Sequence, residues 1–307
     1  GFLFSHNFVL STNIHTGYEV VNYPWDTWQH HHAENDWYEY ISREYADTVH
    51  AYKPPSLGNY LSAQNNGITN GFAWYTIDGG RQDYMNFYLN SRETTMELSY
   101  TKTPNASMLP LYWEANYRSV LNYMEHCLYG FTGKITEAGS GGVPVIAKVE
   151  VINHDFDNSH IYSHHANGQY FRLLLPGVYS LRFSAPGYKD VTLEDLTLMP
   201  GENPVYDVEM EINPESINEF GELKNDISVY PNPTNGLLHC AFNMKQPGKV
   251  SFVFYDHQGK VVQSNLGEFF IQGKQFREFN ISSFKKGNYI LLFIFDDFRY
   301  SIKINKE

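Results

Sequence analysis

"STNIHTGYEVVNYPWD", residues 11–26, is the stretch on which the reading of this chain turns. A first alternating run delivers His15 into a Thr16-Gly17 turn, and a second, "GYEVVNY", leads through Pro24 to Asp26. Both read as buried strands, so an imidazole stands at the tip of one and a carboxylate just beyond the end of the next. Side chains at strand ends project into the crevice where α/β sheets hold ligands. Neutral imidazole in such a place is a good zinc donor.

The windows that follow carry helical periodicity. "ENDWYEYISREYADTVHAYK" spaces Trp37, Ile41, Tyr45, Val49 and Tyr52 by three and four, which predicts an amphipathic helix ended by Pro54-Pro55. "LYWEANYRSVLNYMEHCLYG" repeats the stripe through Trp113, Tyr117, Val120, Leu121, Met124 and Leu128 and stops at Gly130. With "TTMELSY" as a further strand, residues 1–128 read as an α/β mixed sheet covered by helices. From Phe131 the texture changes to short strands such as "AKVEVIN", "QYFRLLL" and "YSLRFSA" between Gly, Pro and Asn turns, the pattern of a β-sandwich over 129–212. Residues 213–225, "NPESINEFGELKN", have linker composition, and 226–307 supply the strands of a second all-β sandwich. The expected fold class is therefore multidomain, one α/β piece followed by two β-sandwiches, with no internal repeat.

The 307 residues carry a formal net charge of −12, which argues against nucleic acid or an anionic membrane as partner. No window approaches the roughly 20 consecutive apolar residues that span a bilayer. The opening "GFLFSHNFVLSTNIH" has no basic leader region and no cleavage site, so the chain reads as starting inside a strand with sequence missing before it. Cys127 and Cys240 fall in segments assigned to different domains, which argues against a disulfide framework.

Within the α/β piece several residues are candidates for chemistry. Glu97 sits mid-strand between apolar neighbours, a costly position for a carboxylate unless it is paired or working. Such surroundings raise a carboxylate towards the general-base range. Tyr75 precedes the Gly79-Gly80 turn on a loop able to move over a ligand, and Gln82 and Asp83 follow that turn. Each has a bland alternative: a structural histidine at His15, an edge-strand solvent residue at Glu97, a packing ring at Tyr75.

"LSTNIHTGYEVVNYPWD", "NGITNGFAWYTIDGGRQDYMNFY" and "ETTMELSYTKTP" resemble, in order, three motif blocks from the second half of the catalytic domain of zinc metallocarboxypeptidases of the carboxypeptidase N/E/D/M branch. The resemblance covers about residues 1–128. "GFTGKITEAGSGGVPVIAKVEV", with the strands after it, is similar to the transthyretin-like (carboxypeptidase regulatory-like) sandwich that follows this catalytic domain. "VYPNPTNG" and the closing "YSIKI" resemble the C-terminal sorting domain of type IX secretion substrates, which implies export to the surface or medium of a Gram-negative bacterium and contact with that secretion machinery.

The resemblance implies His15 as the last of three Zn²⁺ ligands, Glu97 as general base and acid, and Tyr75 as a mobile phenol closing over the substrate. It puts Asp26 at the floor of the side-chain pocket with Gln82 beside it and Asp83 ordering the loop. Peptide or protein C-termini ending in Lys or Arg are the implied substrates. The branch's first two zinc ligands, in an H-x-x-E motif, and its substrate-binding arginines lie upstream of the last His, whereas 14 residues precede His15 here. This chain by itself is therefore expected to bind metal poorly and turn over little. His31 to Glu34 forms an H-x-x-E in the wrong place and reads as a solvent loop, with a weak surface metal site at His30, His31 and His32 left open. Arg81 replaces the branch's usual Met and adds positive charge near a pocket expected to take cations. A non-catalytic, surface-displayed binding or structural protein is the alternative; a transthyretin-like small-ligand carrier lacks a supporting motif.

Overall fold

The computed structural model describes residues 8–307 except 165, 186, 214–226, 245–246, 257–259 and 296–298. The described residues fall into two compact units, one within Gly1–Ile135, Lys148–Phe183 and Val191–Val208, the other within Thr136–Ala147, Ser184–Asp190 and Glu209–Glu307. The expected linker at 213–225 lies outside the described residues, apart from Asn213.

In the first unit, strands β1 (Leu10–His15), β2 (Tyr18–Tyr23), β3 (Ile68–Asn70) and β4 (Arg92–Ser99) form one sheet in the order β1-β4-β2-β3. β4 runs parallel to β1 and antiparallel to β2, and β3 is parallel to β2, which makes the sheet mixed. The β1/β4 register pairs Ser11 with Glu93 and His15 with Glu97. Because side chains alternate across a strand, these residues share one face. On the other face Val21, Tyr23 and Met96 are buried in a core completed by helices α1 (Asn35–Tyr52) and α3 (Leu109–Glu125). Between them in sequence, α2 (Arg81–Tyr88) adjoins the polar face through Arg81, which reaches Glu93 of β4.

α1 buries Trp37, Ile41, Tyr45 and Val49 as its periodicity predicts, whereas Tyr52, its last residue, is exposed. α3 corrects the sequence reading. It buries Ala115, Asn116, Ser119 and Tyr123, packs Val120 of the stripe against the core, and leaves Trp113, Leu121 and Met124 exposed, Trp113 at 68%; Leu128, just beyond its end, is exposed too. The buried face is held by hydrogen bonds that hydropathy does not register. The Tyr45 hydroxyl donates to Asn116 Oδ1 at 2.9 Å, Asn116 Nδ2 donates to the Tyr60 hydroxyl at 2.8 Å, and Ser119 Oγ donates to the Tyr45 carbonyl at 2.9 Å. With every polar group partnered, small polar residues permit close helix packing.

After α3 the chain is all-β among the described residues. Strands β5 (Phe131–Glu137), β6 (Lys148–Val151), β7 (Ile161–Tyr162), β8 (Gln169–Arg172), β9 (Gly177–Ser184), β10 (Val191–Leu198) and β11 (Val208–Met210) form two sheets, β10-β9-β6-β7 and β11-β5-β8. Alternation buries Val149, Val151, Leu181 and Phe183 on the inner face. In the second unit, β12 (Ile227–Tyr230), β13 (Leu237–Met244), β14 (Gly248–Tyr255), β15 (Val261–Phe270), β16 (Gly273–Asn280), β17 (Gly287–Ile294) and β18 (Arg299–Lys306) build sheets β12-β13-β16 and β15-β14-β17-β18. Their facing residues enclose a core rich in phenylalanine, with Phe242, Phe252, Phe254, Phe279 and Phe293 all buried. A mixed α/β sheet followed by two sandwiches is the architecture read from the sequence. Cys127 and Cys240 are both free thiols. No helix among the described residues is long and apolar enough to cross a membrane.

Candidate active site

The polar face of the sheet gathers the residues singled out in the sequence. His15 ends β1 with a side chain 60% exposed, and its Nδ1 lies 2.9 Å from Glu97 Oε1. Glu97 is 6% exposed, so the neighbouring imidazole is what makes a carboxylate tolerable there. Its second oxygen, Oε2, is buried with no partner among the described residues.

Asp26 follows β2 and is 3% exposed. Its Oδ1 accepts from Asn22 Nδ2 at 2.9 Å and from Gln82 Nε2 at 3.0 Å. Two glycines make room for it: a Cβ added at Gly71 would stand 1.9 Å from Asp26 Oδ1, and one at Gly80 would stand 3.4 Å from Oδ2. Burial pushes the Asp26 carboxyl up to about 6, with Asp83 adding to the rise and the Asn22 hydrogen bond opposing it. Asp83 accepts from the backbone amides of Asp26 at 3.0 Å and Thr27 at 2.9 Å, which fixes the turn that presents Asp26.

Tyr75 lies on the loop after the short helical turn Gly71–Trp74, whose start is capped by Asn70 Oδ1 accepting from the Ala73 amide at 3.2 Å. The loop is tied to the 25–27 segment through Phe72 N to the Trp25 carbonyl at 2.8 Å and Thr27 Oγ1 to the Ile77 carbonyl at 2.8 Å. Tyr75 itself is 48% exposed. Partial burial raises its phenol pKa, and the carboxylates of Glu97 and Asp26 add to the rise. Asn22, two residues along β2 from Val20, which pairs with Glu97, faces the same side and reaches Asp26, which ties the Asp26 turn to this face.

Arg81 does not add a free cation to this face. Its Nη2 donates to Glu93 Oε2 at 3.0 Å, and the same oxygen accepts from Ser11 Oγ at 2.6 Å. Burial still raises the Glu93 pKa against the pull of these two partners. Asn22, Glu93 and the glycines Gly71 and Gly80 are site residues that the sequence reading missed. Alternation along β2 and β4 would have put Asn22 and Glu93 on the face of Glu97.

The His31–Glu34 segment corrects the expectation of a solvent loop. Glu34 is buried, and its Oε1 accepts from Arg92 Nη2 at 3.0 Å and from Arg172 Nη2. Arg172 also donates to Asp155 Oδ1 at 2.5 Å. Burial alone would raise the Glu34 pKa; the guanidiniums of Arg172 and Arg92, with the two histidines His32 and His154, hold it well below the usual carboxylate range. His32 is buried against Trp25 at 4.8 Å between ring centroids, and burial lowers its pKa. A surface triad of His30, His31 and His32 is thereby excluded. Among the described residues, Glu34, His154 and Asp155 are the three metal-capable side chains that lie together, and the two guanidiniums already balance their carboxylates.

His15 and the orphaned, buried Glu97 oxygen fit the edge of a zinc site, as one imidazole donor with a carboxylate beside it. Residues 2–119 match the family described as zinc carboxypeptidase, residues 130–211 the carboxypeptidase regulatory-like domain and residues 228–306 the secretion system C-terminal sorting domain. Rat carboxypeptidase D is 31% identical over 222 residues, covering 68% of this chain and 16% of that protein. Human carboxypeptidase D is 32% identical over 237 residues, covering 73% and 17%. The mouse carboxypeptidase N catalytic chain is 31% identical over 221 residues, covering 67% and 46%. The chain thus spans less than half the length of these relatives. Its residues 2–119 are a region of the zinc carboxypeptidase family, joined to a carboxypeptidase regulatory-like domain and a secretion sorting domain.

Proposed function

We propose that the polar face of the first sheet is the proton-transfer and side-chain-recognition half of a zinc metallocarboxypeptidase site acting on peptides or proteins that end in Lys or Arg. The observation that carries this is the His15–Glu97 pair at 2.9 Å with one buried Glu97 oxygen left over. His15 is one donor to Zn²⁺; a catalytic zinc takes three protein ligands, so the other two come from outside the described residues. The 307-residue chain alone accordingly holds the ion weakly and turns over little. When bound, the ion polarises the scissile carbonyl and acidifies water.

The chain's own residues supply the rest. Glu97 takes a proton from the attacking water at its free Oε2 and passes it to the leaving amine. Tyr75, on its exposed loop, closes over the substrate and donates its phenolic proton as a hydrogen bond. Asp26 pairs with the substrate's terminal cation, Gln82 and Asn22 hold its carboxylate, and Asp83 holds the turn. A cation entering this pocket stabilises the ionised carboxylate, whereas an apolar side chain leaves it unpaired. Engagement of Arg81 by Glu93 supports the basic preference, because the guanidinium is already neutralised.

The proposed domain division is 1–128 for the catalytic portion, 129–212 for the transthyretin-like sandwich, 213–225 for a linker and 226–307 for the sorting sandwich. The sorting sandwich addresses the protein to type IX export and the surface or medium of a Gram-negative bacterium. The test is release of the last residue from peptides ending in Arg, Lys or Phe, with the chain supplied alone and together with a polypeptide carrying the remaining zinc donors, with and without a chelator. Chelator-sensitive release of Arg or Lys that is lost in Glu97→Gln is expected. No release under any of these conditions defeats the peptidase reading in favour of a display or binding role, and release of Phe over Arg defeats the Asp26 assignment.

A further inference from the structure

Beyond the Asp26 pocket, a second recess of about 530 Å³ opens where α1 and the end of α3 meet the loops at 174–176 and 198–202, all within the first unit. Its floor is apolar, with Leu174 at 4% and Leu198 at 2% exposed. His126 is ringed edge-on by Trp37 at 6.4 Å, Tyr40 at 5.7 Å and Tyr129 at 6.0 Å between centroids. Carboxylates stand at the wall: Glu44 Oε2 lies 2.6 Å from His126 Nε2, and Glu125 Oε1 accepts from the Tyr129 hydroxyl at 2.5 Å. Glu202 also lines the recess, and no Lys or Arg does. Arg43, next to Glu44 in sequence, instead donates to the carbonyls of Asn65 and Asn66 at 2.6 and 2.8 Å.

Three carboxylates with no Lys or Arg among the lining residues, His126 alone meeting one of them, together with aromatic rings and a greasy floor, are complementary to a cation on an alkyl stem. A guanidinium or ammonium within about 6 Å of a ring gains cation–π attraction, and its methylenes cover the apolar floor. We infer that this recess is a binding site for a Lys or Arg side chain carried inside a peptide with apolar neighbours. It is distinct from the Asp26 pocket, since α1 and α3 cover the apolar face of the sheet and Asp26 belongs to the polar face. It does not rest on the peptidase reading: a peptide held here needs no free C-terminus.

The test is fluorescence anisotropy of a labelled, C-terminally amidated Leu-Arg-Leu peptide titrated with the full chain. Its citrulline twin, which keeps shape and loses charge, and free argininamide serve as comparisons. Saturable binding is expected, weakened at least tenfold for the citrulline peptide and several-fold or more by Glu125→Gln and Glu44→Gln, with Asp26→Asn unchanged. Glu44→Gln removes the partner of His126, so the exposed Glu125→Gln carries the test if that variant melts early. Absence of binding, equal affinity for the citrulline twin, or indifference to Glu125→Gln overturns the inference. So does argininamide competing as well as the peptide, which means a small-cation site, or loss of binding in Asp26→Asn, which means the other pocket.

Discussion

Arg172→Met should cost about 3–5 kcal/mol of stability, the range for removing one partner from a buried ion pair. Arg172 is fully buried and is the shared donor between Glu34 and Asp155, at 2.5 Å from the latter. Two charge-assisted hydrogen bonds of roughly 1.5–3 kcal/mol each are lost. Arg92 still holds Glu34 at 3.0 Å, which keeps the total from reaching the upper sum. Asp155 keeps no cation in its place. With about 2–4 °C per kcal/mol for a unit of this size, the melting midpoint should fall by roughly 6–20 °C, read by near-UV circular dichroism. Charge balance supplies an internal check. In Arg172→Met/Asp155→Asn, one guanidinium faces one carboxylate again, so the double variant should be more stable than Arg172→Met alone. Arg118→Met, which breaks an exposed pair with Glu114 at 3.2 Å, should move stability by about 0.5 kcal/mol or less. A single variant within about 1 kcal/mol of the parent, or a double variant whose losses simply add, would refute the reasoning.

The Asp26 carboxyl should titrate with a midpoint near 6 in a carboxyl-carbon NMR titration, and a midpoint near 4 would show that it is solvated. Because its folded-state pKa lies above the ordinary 3.8, its contribution to stability is fully present below about 4 and is lost as pH rises to about 6, so Asp26→Asn should flatten that part of the stability profile. Gly71→Ala should displace the Asp26 carboxylate, since the new methyl would stand 1.9 Å from Oδ1; an unshifted Asp26 resonance would contradict this. Cys240 is fully buried, and burial pushes its thiol up to about 12, so it should resist iodoacetamide in the folded chain and react only after denaturation; prompt labelling of the native protein would show the second unit opening locally.

Strand content, the change of texture at Phe131 and the juxtaposition of His15 with Glu97 were legible because each rests on local periodicity, on turn residues or on a motif long enough to be specific. The failures share a cause. Glu34 looks like a solvent acid in "HHHAEND", and its burial is decided by Arg92 and Arg172, which lie 58 positions away in one case and on a sandwich strand in the other. The apolar stripe of α3 is not its packing side, Val120 apart, which meets the core. The hydroxyls of Tyr45 in α1 and Tyr60 in the following loop satisfy Asn116, and the Tyr45 backbone carbonyl satisfies Ser119, so a polar stripe is buried and Trp113 remains outside. In a chain with 24 tyrosines, such hydroxyl-mediated packing escapes a hydropathy scale.

The paired register of β1 and β4 makes strand length matter more than strand composition. Many substitutions at Thr12 or Thr95 preserve which side chains look the same way. A single inserted or deleted residue inside either strand, however, would turn every side chain beyond it to the opposite surface, parting His15 from Glu97 and driving a carboxylate into the aromatic interior. Sequence drift in this pair should therefore proceed by replacement at constant length, with indels confined to the Thr16-Gly17 corner and the outer loops.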